Sequence, residues 1–600
     1  MLQVFGRLRD SLRRVRRNDR ANIVLLFAVS VIPLLLLMGG AVDFARYARH
    51  KADLSNAVDA AALALARVGQ EYTEAQAASF VESYVASLRL DDEQFSVNGF
   101  NVVKTVNGYR VTANASMQTM FLPIGGLADH GSPVMAMGLN VTAEVVHSSN
   151  RLEVVLVLDV TGSMNCGATV SSSCSNNWSN PGSSSRIVAL RGAATSLVNM
   201  LMTQDTSDPD MIKIGVVPFE GTVNIGSNYV ASPPWWVDWS TQAQAYWNGR
   251  NFDAPSGWPS GTRPGHGWLF DQLHQANSSL SWAGCIEMRR EPYDILDTTP
   301  DTSLPNTLFV PFFWPDEPDR NSSGEYMSSP DTRYNNNYSS GTSSYYTYTY
   351  HNNYLGDKIA PSAGSSRPAN AQKYPEKYKY TNSSNKAVWH SGKLANATSF
   401  PYSAGPNRGC PQPTVPLTNS KTTVTNLLSN LVAYPAMGTF IPTGLVWGWH
   451  LLTPNEPFTQ GVAPDDEDYD KTVKAIVLFT DGDNSVTGAS NHNESYFSGY
   501  NYVSKGRLGT TSNATTATSN LNTRTEALCA NIKNDGPDDH KIRVYTITFG
   551  DIASSSQTLM RNCATLDNGE HLYYHAPSTS DLEDIFRQIG EDLSEIHLSM

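Results

Sequence analysis

Charge is what this 600-residue sequence has least of. Asp, Glu, Lys and Arg make up 16% of it, against a usual share of about 25%. Ser, Thr, Asn, Gly and Tyr fill the difference. The shortage excludes a coiled coil and a charge-rich disordered tail. The balance is acidic, 43 basic against 56 acidic side chains for a net charge of −13, which disfavours nucleic acid as a partner. Cysteine is sparse as well. There are six, Cys166, Cys174, Cys285, Cys410, Cys529 and Cys563, and no Cys-x-x-Cys pair, so a zinc cluster is not expected. An even number in an exported chain suggests disulfides, although six cysteines allow 15 pairings. Proximity in sequence favours Cys166–Cys174 and Cys529–Cys563, leaving Cys285–Cys410.

Long apolar runs are missing with one exception. Ile23 to Val42 is interrupted only by Ser30, Pro33 and two glycines, and about 20 apolar residues suffice to cross a bilayer. The run is longer than the apolar part of a signal peptide, about 7–15 residues, and no Ala-x-Ala-like site follows it. An uncleaved single-pass anchor is expected. Seven arginines among the first twenty residues place the N-terminus in the cytoplasm. The chain after Asp43 then lies outside the cytoplasmic membrane. Four stretches are expected: a basic cytoplasmic segment 1–21, an anchor with its helical continuation 22–68, a small α+β connecting domain 69–150, and an α/β domain 151–600 with an insertion at about 227–418.

Periodicity supports this division. Leu54, Val58, Ala61, Leu65 and Val68 make one apolar stripe that continues the anchor helix. Thr73-x-x-Gln76 reads as a capping box opening a second helix with Phe80, Tyr84 and Leu88 on one face. Asn107-Gly108 between two β-rich runs marks a hairpin. Beyond Arg151 come four short apolar runs, Val154–Leu158, Ile214–Phe219, Ile476–Phe479 and Val544–Phe549. Such runs suit strands buried on both faces of a parallel sheet. Helical patterns lie between and after them, at Arg186–Met202, Thr423–Val432, Thr525–Lys533 and Asp581–Leu593, the last opened by Ser580-x-x-Glu583. The alternation predicts an open α/β sheet. The long stretch from 227 to 418 holds nine of the twelve tryptophans and a Tyr-rich, low-complexity lobe at Asn321–Asn353. It reads as an inserted subdomain.

Sites in open α/β sheets form at the carboxyl ends of strands. Asp159-Val-Thr161-Gly-Ser163 follows the first run, Gly438-Thr439 precedes a helix near Gly444, and Thr480-Asp481-Gly482 follows the third run. Asp159, Thr161, Ser163, Thr439 and Asp481 thus offer two carboxylates and three hydroxyls. That oxygen-only set suits Mg²⁺ best, with Mn²⁺ or Ca²⁺ also compatible.

This pattern resembles the von Willebrand factor type A (VWFA) domain and its metal-ion-dependent adhesion site (MIDAS), whose motif is Asp-x-Ser-x-Ser with a later Thr and a Thr-Asp-Gly turn. Thr161 stands where Ser is usual and supplies the same hydroxyl. The resemblance implies a Rossmann-like fold and a cation that captures an acidic side chain of a partner. Leu152–Met164, Gly215–Phe219, Trp282–Ile286, Gly405–Asn407 with Cys410, Gly444–Trp449 and Tyr545–Gly550, together with the anchor and Ala60–Ala64, are similar to TadG-like proteins of the tight-adherence (Flp) pilus system. What this implies is an anchored, non-enzymatic binding or adhesion protein of pilus assembly. Its partners would be pilus-assembly or envelope proteins presenting Asp or Glu.

Two other readings stand beside it. One is a structural envelope module without functional metal. The other is a metal-dependent phosphohydrolase, since an Asp loop after a strand also resembles aspartyl-phosphate loops; Val160 occupies a position where those families place Asp or Lys. His492, His540, His571 and His575 are scattered. The tryptophans Trp235, Trp236 and Trp239 are expected to pack within the insertion, and the acidic run Asp465–Asp468 to be a solvated loop.

Overall fold

The structure, a computed structural model, describes residues 19–598 except 69–71, 91–93, 106–107, 122–135, 147–150, 168–180, 203–210, 227–232, 241–242, 245–249, 319–349, 357–366, 380–388, 390–392, 435–436 and 538–539. Cys174, Asn107, most of the Tyr-rich lobe and all the leading arginines except Arg20 therefore lie outside it. The chain divides into two compact units, residues 1–149 with 598–600, and residues 150–597.

In the first unit, helix α1 (Asp19–Val68) runs unbroken through the apolar stretch and the predicted stripe. Leu54, Val58, Ala61 and Leu65 are fully buried against helix α2 (Glu74–Ser87) and the antiparallel strands β1 (Phe95–Thr105), β2 (Gly108–Gln118) and β3 (Ala136–Val146). The Thr73/Gln76 capping box forms. The face of α2 that faces the core differs from expectation: Ala77, Val81 and Val85 are buried, Phe80 and Tyr84 pack beside them, and Leu88 is exposed. Small and β-branched side chains let the helix approach the sheet closely, and the aromatics close its flank. Along β2 the side chains of Tyr109, Val111, Ala113, Ala115 and Met117 all point into the core with period two.

The expected membrane span falls on α1, where the side chains of residues 19–26 are not described. Among the described residues no helix is long and apolar enough to cross a membrane. Phe27, Leu34, Leu35, Leu37, Met38, Val42 and Phe44 are nevertheless exposed large hydrophobics on this one helix. Just behind them, Asp43 is buried and its carboxylate accepts the backbone N–H groups of Met120 (3.0 Å) and Phe121 (2.8 Å).

The second unit is built on a nine-stranded mixed sheet. Its strands are β4 (Arg151–Asp159), β5 (Ile212–Phe219), β6 (Val223–Asn224), β7 (Cys285–Glu287), β8 (Val310–Pro311), β9 (Val415–Thr418), β10 (Thr472–Thr480), β11 (Arg543–Phe549) and β12 (Tyr573–Ala576). The spatial order is β8-β7-β6-β5-β4-β10-β11-β12, with β9 antiparallel on β5. From β5 to β12 every neighbouring pair is parallel. All four apolar runs are strands of this parallel core. Val155, Val157, Ile476 and Leu478 face one side, with helices α6 (Ile441–Leu452), α7 (Ala514–Lys533) and α8 (Ser554–Cys563). Leu156, Leu158, Val477 and Phe479 face the other, with α3 (Arg186–Leu201), α5 (Lys421–Ser429) and α9 (Thr579–Leu598). Gly444 and Gly448 let α6 lie on the sheet, since a Cβ there would come within 2.4 Å of the Phe219 ring and 2.5 Å of Val157. Helix α9 opens two residues earlier than expected. Ser578, not Ser580, accepts from the Asp581 N–H at 3.4 Å.

The insertion departs from the picture of a separate subdomain. Its helix α4 (His266–Ala276) and the side chains of Trp236, Phe252, Trp282, Phe313 and Tyr378 share one continuous core with Val155, Val217 and Ile476 of the sheet. Its short strands β7 and β8 extend the sheet edge beyond β6. Trp236 is buried and Trp239 packs against this core, whereas Trp235 is exposed. Disulfides join Cys285 to Cys410 and Cys529 to Cys563. Cys166 is disulfide-bonded too, and no described cysteine is free. Thiol counting on the unreduced, denatured chain is therefore expected to find essentially no free thiol. Two or more reactive thiols per chain would contradict this pairing.

Candidate metal centre

The five oxygen-bearing residues meet at the carboxyl ends of β4 and β10. Each is placed by a local device. Asp159 ends β4, fully buried, and its Oδ1 accepts the Thr161 N–H at 2.8 Å, so the first loop turns back over its own carboxylate. Thr480 ends β10 and donates its hydroxyl to Asp159 Oδ2 at 2.7 Å, tying the two strand ends together. Gly438 approaches the third loop so closely that a Cβ would lie 2.2 Å from the Ser485 carbonyl oxygen, and its φ is +103°, a conformation suited to glycine. The Ser485 N–H then donates to the Thr439 carbonyl at 2.8 Å, and Asn484 Oδ1 accepts the Ile441 N–H at 2.9 Å. These bonds lock the second loop and the start of α6 onto the third loop.

The result is a chain of close oxygens. Thr161 Oγ1 lies 3.0 Å from Ser163 Oγ, Ser163 Oγ donates to Asp481 Oδ1 at 2.8 Å, and Thr439 Oγ1 is 3.5 Å from Thr161 Oγ1. Mg²⁺ binds at 2.0–2.1 Å in a near-ideal octahedron, so oxygens on adjacent corners are about 2.9 Å apart. Two of these three spacings match that edge, and the donor set is all hard oxygen. The residues present therefore fit a small hard dication. Among the described residues no three His, Cys, Asp or Glu side chains gather to hold a metal, here or elsewhere, and the carboxylates of this cluster are two.

Electrostatics single out the two carboxylates. Burial pushes the Asp159 carboxyl up to about 7, with the nearby Asp481 charge adding to it. Burial also raises Asp481, opposed by Arg186 and Ser163. Arg186 is the residue that sequence reasoning missed. Its Nη1 donates to Asp481 Oδ2 at 2.8 Å, and its Nε is buried without a partner. A signal for it existed. Arg186 is the first residue of α3, and a cation is unfavourable at a helix N-terminus unless an anion faces it. Thr480 was quoted only as part of the turn, yet its hydroxyl serves Asp159.

The other candidates do not join this cluster. His540 lies 3.7 Å from Asp470, and His575 Nδ1 is 3.0 Å from the Thr548 hydroxyl. His492 Nδ1 lies 3.0 Å from the Tyr350 hydroxyl. In the acidic run, Asp468 pairs with Arg151 at 2.8 Å and Lys471 at 3.3 Å.

Fold and site together define an α/β unit with a cluster of side-chain oxygens at its strand ends. It follows a long helix whose residues 21–68 match the Flp pilus-assembly TadE/G-like (Tad) family. No curated protein matches the chain in sequence. Among solved structures, the pilus adhesin SpaC from Lactobacillus rhamnosus GG is 12% identical with a TM-score of 0.26; the alignment covers 83% of this chain and 34% of that one. This chain thus spans about a third of the adhesin's length. The PilB minor pilin from Streptococcus sanguinis is 12% identical with a TM-score of 0.28, covering 84% of this chain and 77% of that one.

Proposed function

We propose that this protein is an anchored, extracytoplasmic binding protein of Flp pilus assembly or surface adhesion. Its second unit is a von Willebrand factor A-type module holding a divalent cation, Mg²⁺ first, at Asp159, Thr161, Ser163, Thr439 and Asp481. The observation that carries this reading is the convergence of those five side chains from three loops, with the Thr161–Ser163 and Ser163–Asp481 oxygens 3.0 and 2.8 Å apart. The Tad match at residues 21–68 supports the pilus context, and the twenty-residue apolar run supports the anchor.

A bound dication supplies an electrophile with coordination positions left for an outside carboxylate. The chain supplies the rest. Thr161 N–H and Thr480 Oγ–H hold the Asp159 carboxylate in place. The hydroxyls of Thr161 and Ser163 are rotors that can turn lone pairs inward. Charge then selects the partner: two carboxylates, one guanidinium and one dication sum to +1, so the filled site attracts an anionic side chain. No group positioned for chemistry on a substrate is required, and the protein acts by binding.

One observation favours a second reading. Arg186 already gives Asp481 a cation, as a metal-free structural module would need. The readings separate in a pull-down of the full chain from envelope extracts, with Mg²⁺ or with EDTA. Mg²⁺-dependent capture of a pilus or envelope protein supports the binding role; capture indifferent to EDTA supports the structural module.

The raised Asp159 carboxyl makes a pH prediction. Metal must displace its proton, so Mg²⁺ affinity is expected to fall as pH drops below about 7. Without metal the sign reverses. Between about 4 and 7 the folded state binds more protons at Asp159 than the unfolded chain does, so this group makes the apo protein more stable as pH falls. Mg²⁺ titrations at pH 8 and pH 6 check the first statement. Equal affinities would contradict it.

A further inference from the structure

The first unit carries a cavity of about 430 Å³ lined by Arg46, Arg49, His50, Asp53, Arg89 and Phe95 among others. Among the described residues, three guanidinium groups face one carboxylate. Arg49 pairs with Asp53 only loosely, at 3.8 Å, with both side chains at least half exposed. Arg46 donates one Nη to Gln94, while its other Nη is buried and donates to nothing. The His50 ring lies flat on Phe95 at 4.6 Å, flooring the cavity. Arg89 adopts φ +50° just beyond the Leu88 cap of α2, the left-handed conformation that commonly ends a helix. Among the described residues the cavity thus has cationic walls and an unused buried donor.

Its place on α1 suggests what it holds. At 1.5 Å rise per residue, Arg46 lies about 6 Å beyond Val42, the end of the apolar run, and Arg49 about 10.5 Å beyond it, outside the headgroup layer, with its side chain tilted back toward the helix N-terminus. A headgroup layer is about 5–8 Å thick, half the difference between the whole bilayer and its hydrocarbon core. The end of the run is further marked by the exposed Phe44, stacked 6.3 Å from Tyr47, and by the exposed Met120 and Phe121 held at Asp43. Aromatic side chains at that level are typical of the membrane–water interface.

We propose that this cavity binds the phosphate of an anionic phospholipid headgroup in the leaflet that α1 enters. The proposal rests on the anchor reading given above. The shared chemistry is a phosphate ester, and depth on the helix selects the lipid over a soluble one. Guanidinium groups bind phosphate bidentately, Arg46 and Arg89 from two sides here, and Arg49 would exchange its loose contact with Asp53 for the ligand.

The test is native mass spectrometry of the full chain in detergent with equal phosphatidylglycerol and phosphatidylcholine. Phosphatidylglycerol adducts are expected to survive several-fold better. Arg49→Gln with Arg89→Gln should reduce them to the phosphatidylcholine level. Equal retention of the two lipids by the parent chain, or undiminished preference in the variant, overturns the proposal. A misfolded variant does not remove the test, because the parent chain is also challenged with glycerol phosphate. Preferential uptake of that soluble ester over phosphatidylglycerol overturns the lipid assignment. Vesicle flotation separates the premises: a chain that leaves phosphatidylcholine vesicles in alkali sinks the anchor reading, and one that stays but shows no lipid preference sinks only the cavity.

Discussion

Asp481→Ala is expected to abolish Mg²⁺ binding and partner capture while leaving the chain folded. The two aspartates are not equivalent in this respect. Removing Asp159 strands the buried Thr161 N–H and takes one of the two acceptors of the Thr480 hydroxyl, and a buried unsatisfied group costs about 1–3 kcal/mol. Removing Asp481 takes the carboxylate from Ser163 and from Arg186, which keeps the Asp481 backbone carbonyl at 3.4 Å, but also ends the repulsion that raises Asp159. The two effects oppose each other, so the stability change should stay within about 2 kcal/mol. For metal the loss is one of two carboxylates, expected to weaken Mg²⁺ by roughly a hundredfold or more, equivalent to about 2.7 kcal/mol. Thr161→Ser keeps the ligand oxygen and should change Mg²⁺ affinity less than about threefold. Calorimetric titration of both variants, with their melting temperatures, checks the pair. An Asp481→Ala chain that binds Mg²⁺ like the parent would contradict the ligand set.

The second large effect lies in the insertion. Asp316 and Lys377 form an ion pair at 2.6 Å, both side chains essentially without solvent. Asp316 Oδ1 also accepts the backbone N–H groups of Tyr354 and Leu355, at 2.6 and 2.7 Å. One carboxylate therefore ties three segments of the insertion together. Asp316→Ala removes the carboxylate that Lys377 pairs with away from solvent, and removing one partner of a buried pair costs about 3–5 kcal/mol. That is a large share of a typical total stability of about 5–15 kcal/mol. Lys377→Met alone should cost less than Asp316→Ala, because the carboxylate keeps its two backbone donors. Urea unfolding of both variants checks the order. Equal small losses, under about 1 kcal/mol each, would mean the pair does not organise the insertion.

What the sequence revealed follows from where the information sits. The parallel strands were legible because Val154–Leu158 and Ile476–Phe479 are buried on both faces and carry no polar interruption. The meeting of the five oxygen-bearing residues was legible because each sits in a short loop directly after a strand or before a helix. Arg186 was not, since its meeting with Asp481 spans 295 residues and only tertiary folding brings it there. Helix α7 begins at Ala514, eleven residues before the expected Thr525. Its first half, rich in Thr and Asn, has weak helical propensity; it is held by the Asn513 cap and by burial of Ala517 and Leu521. The insertion's sharing of the sheet's core was invisible for a related reason. Trp236, Phe252 and Phe313 sit in irregular segments without a period, so nothing in their spacing says what they pack against.

The central claim, that three loops assemble a metal-dependent binding site, is tested most directly by isothermal titration of the EDTA-treated full chain with Mg²⁺ and with Mn²⁺ at pH 8. The predicted result is one ion per chain, with binding that is lost in Asp481→Ala. A flat titration with both ions, while the protein stays folded and still captures its partner, would contradict the claim and leave the Arg186–Asp481 pair as a purely structural contact.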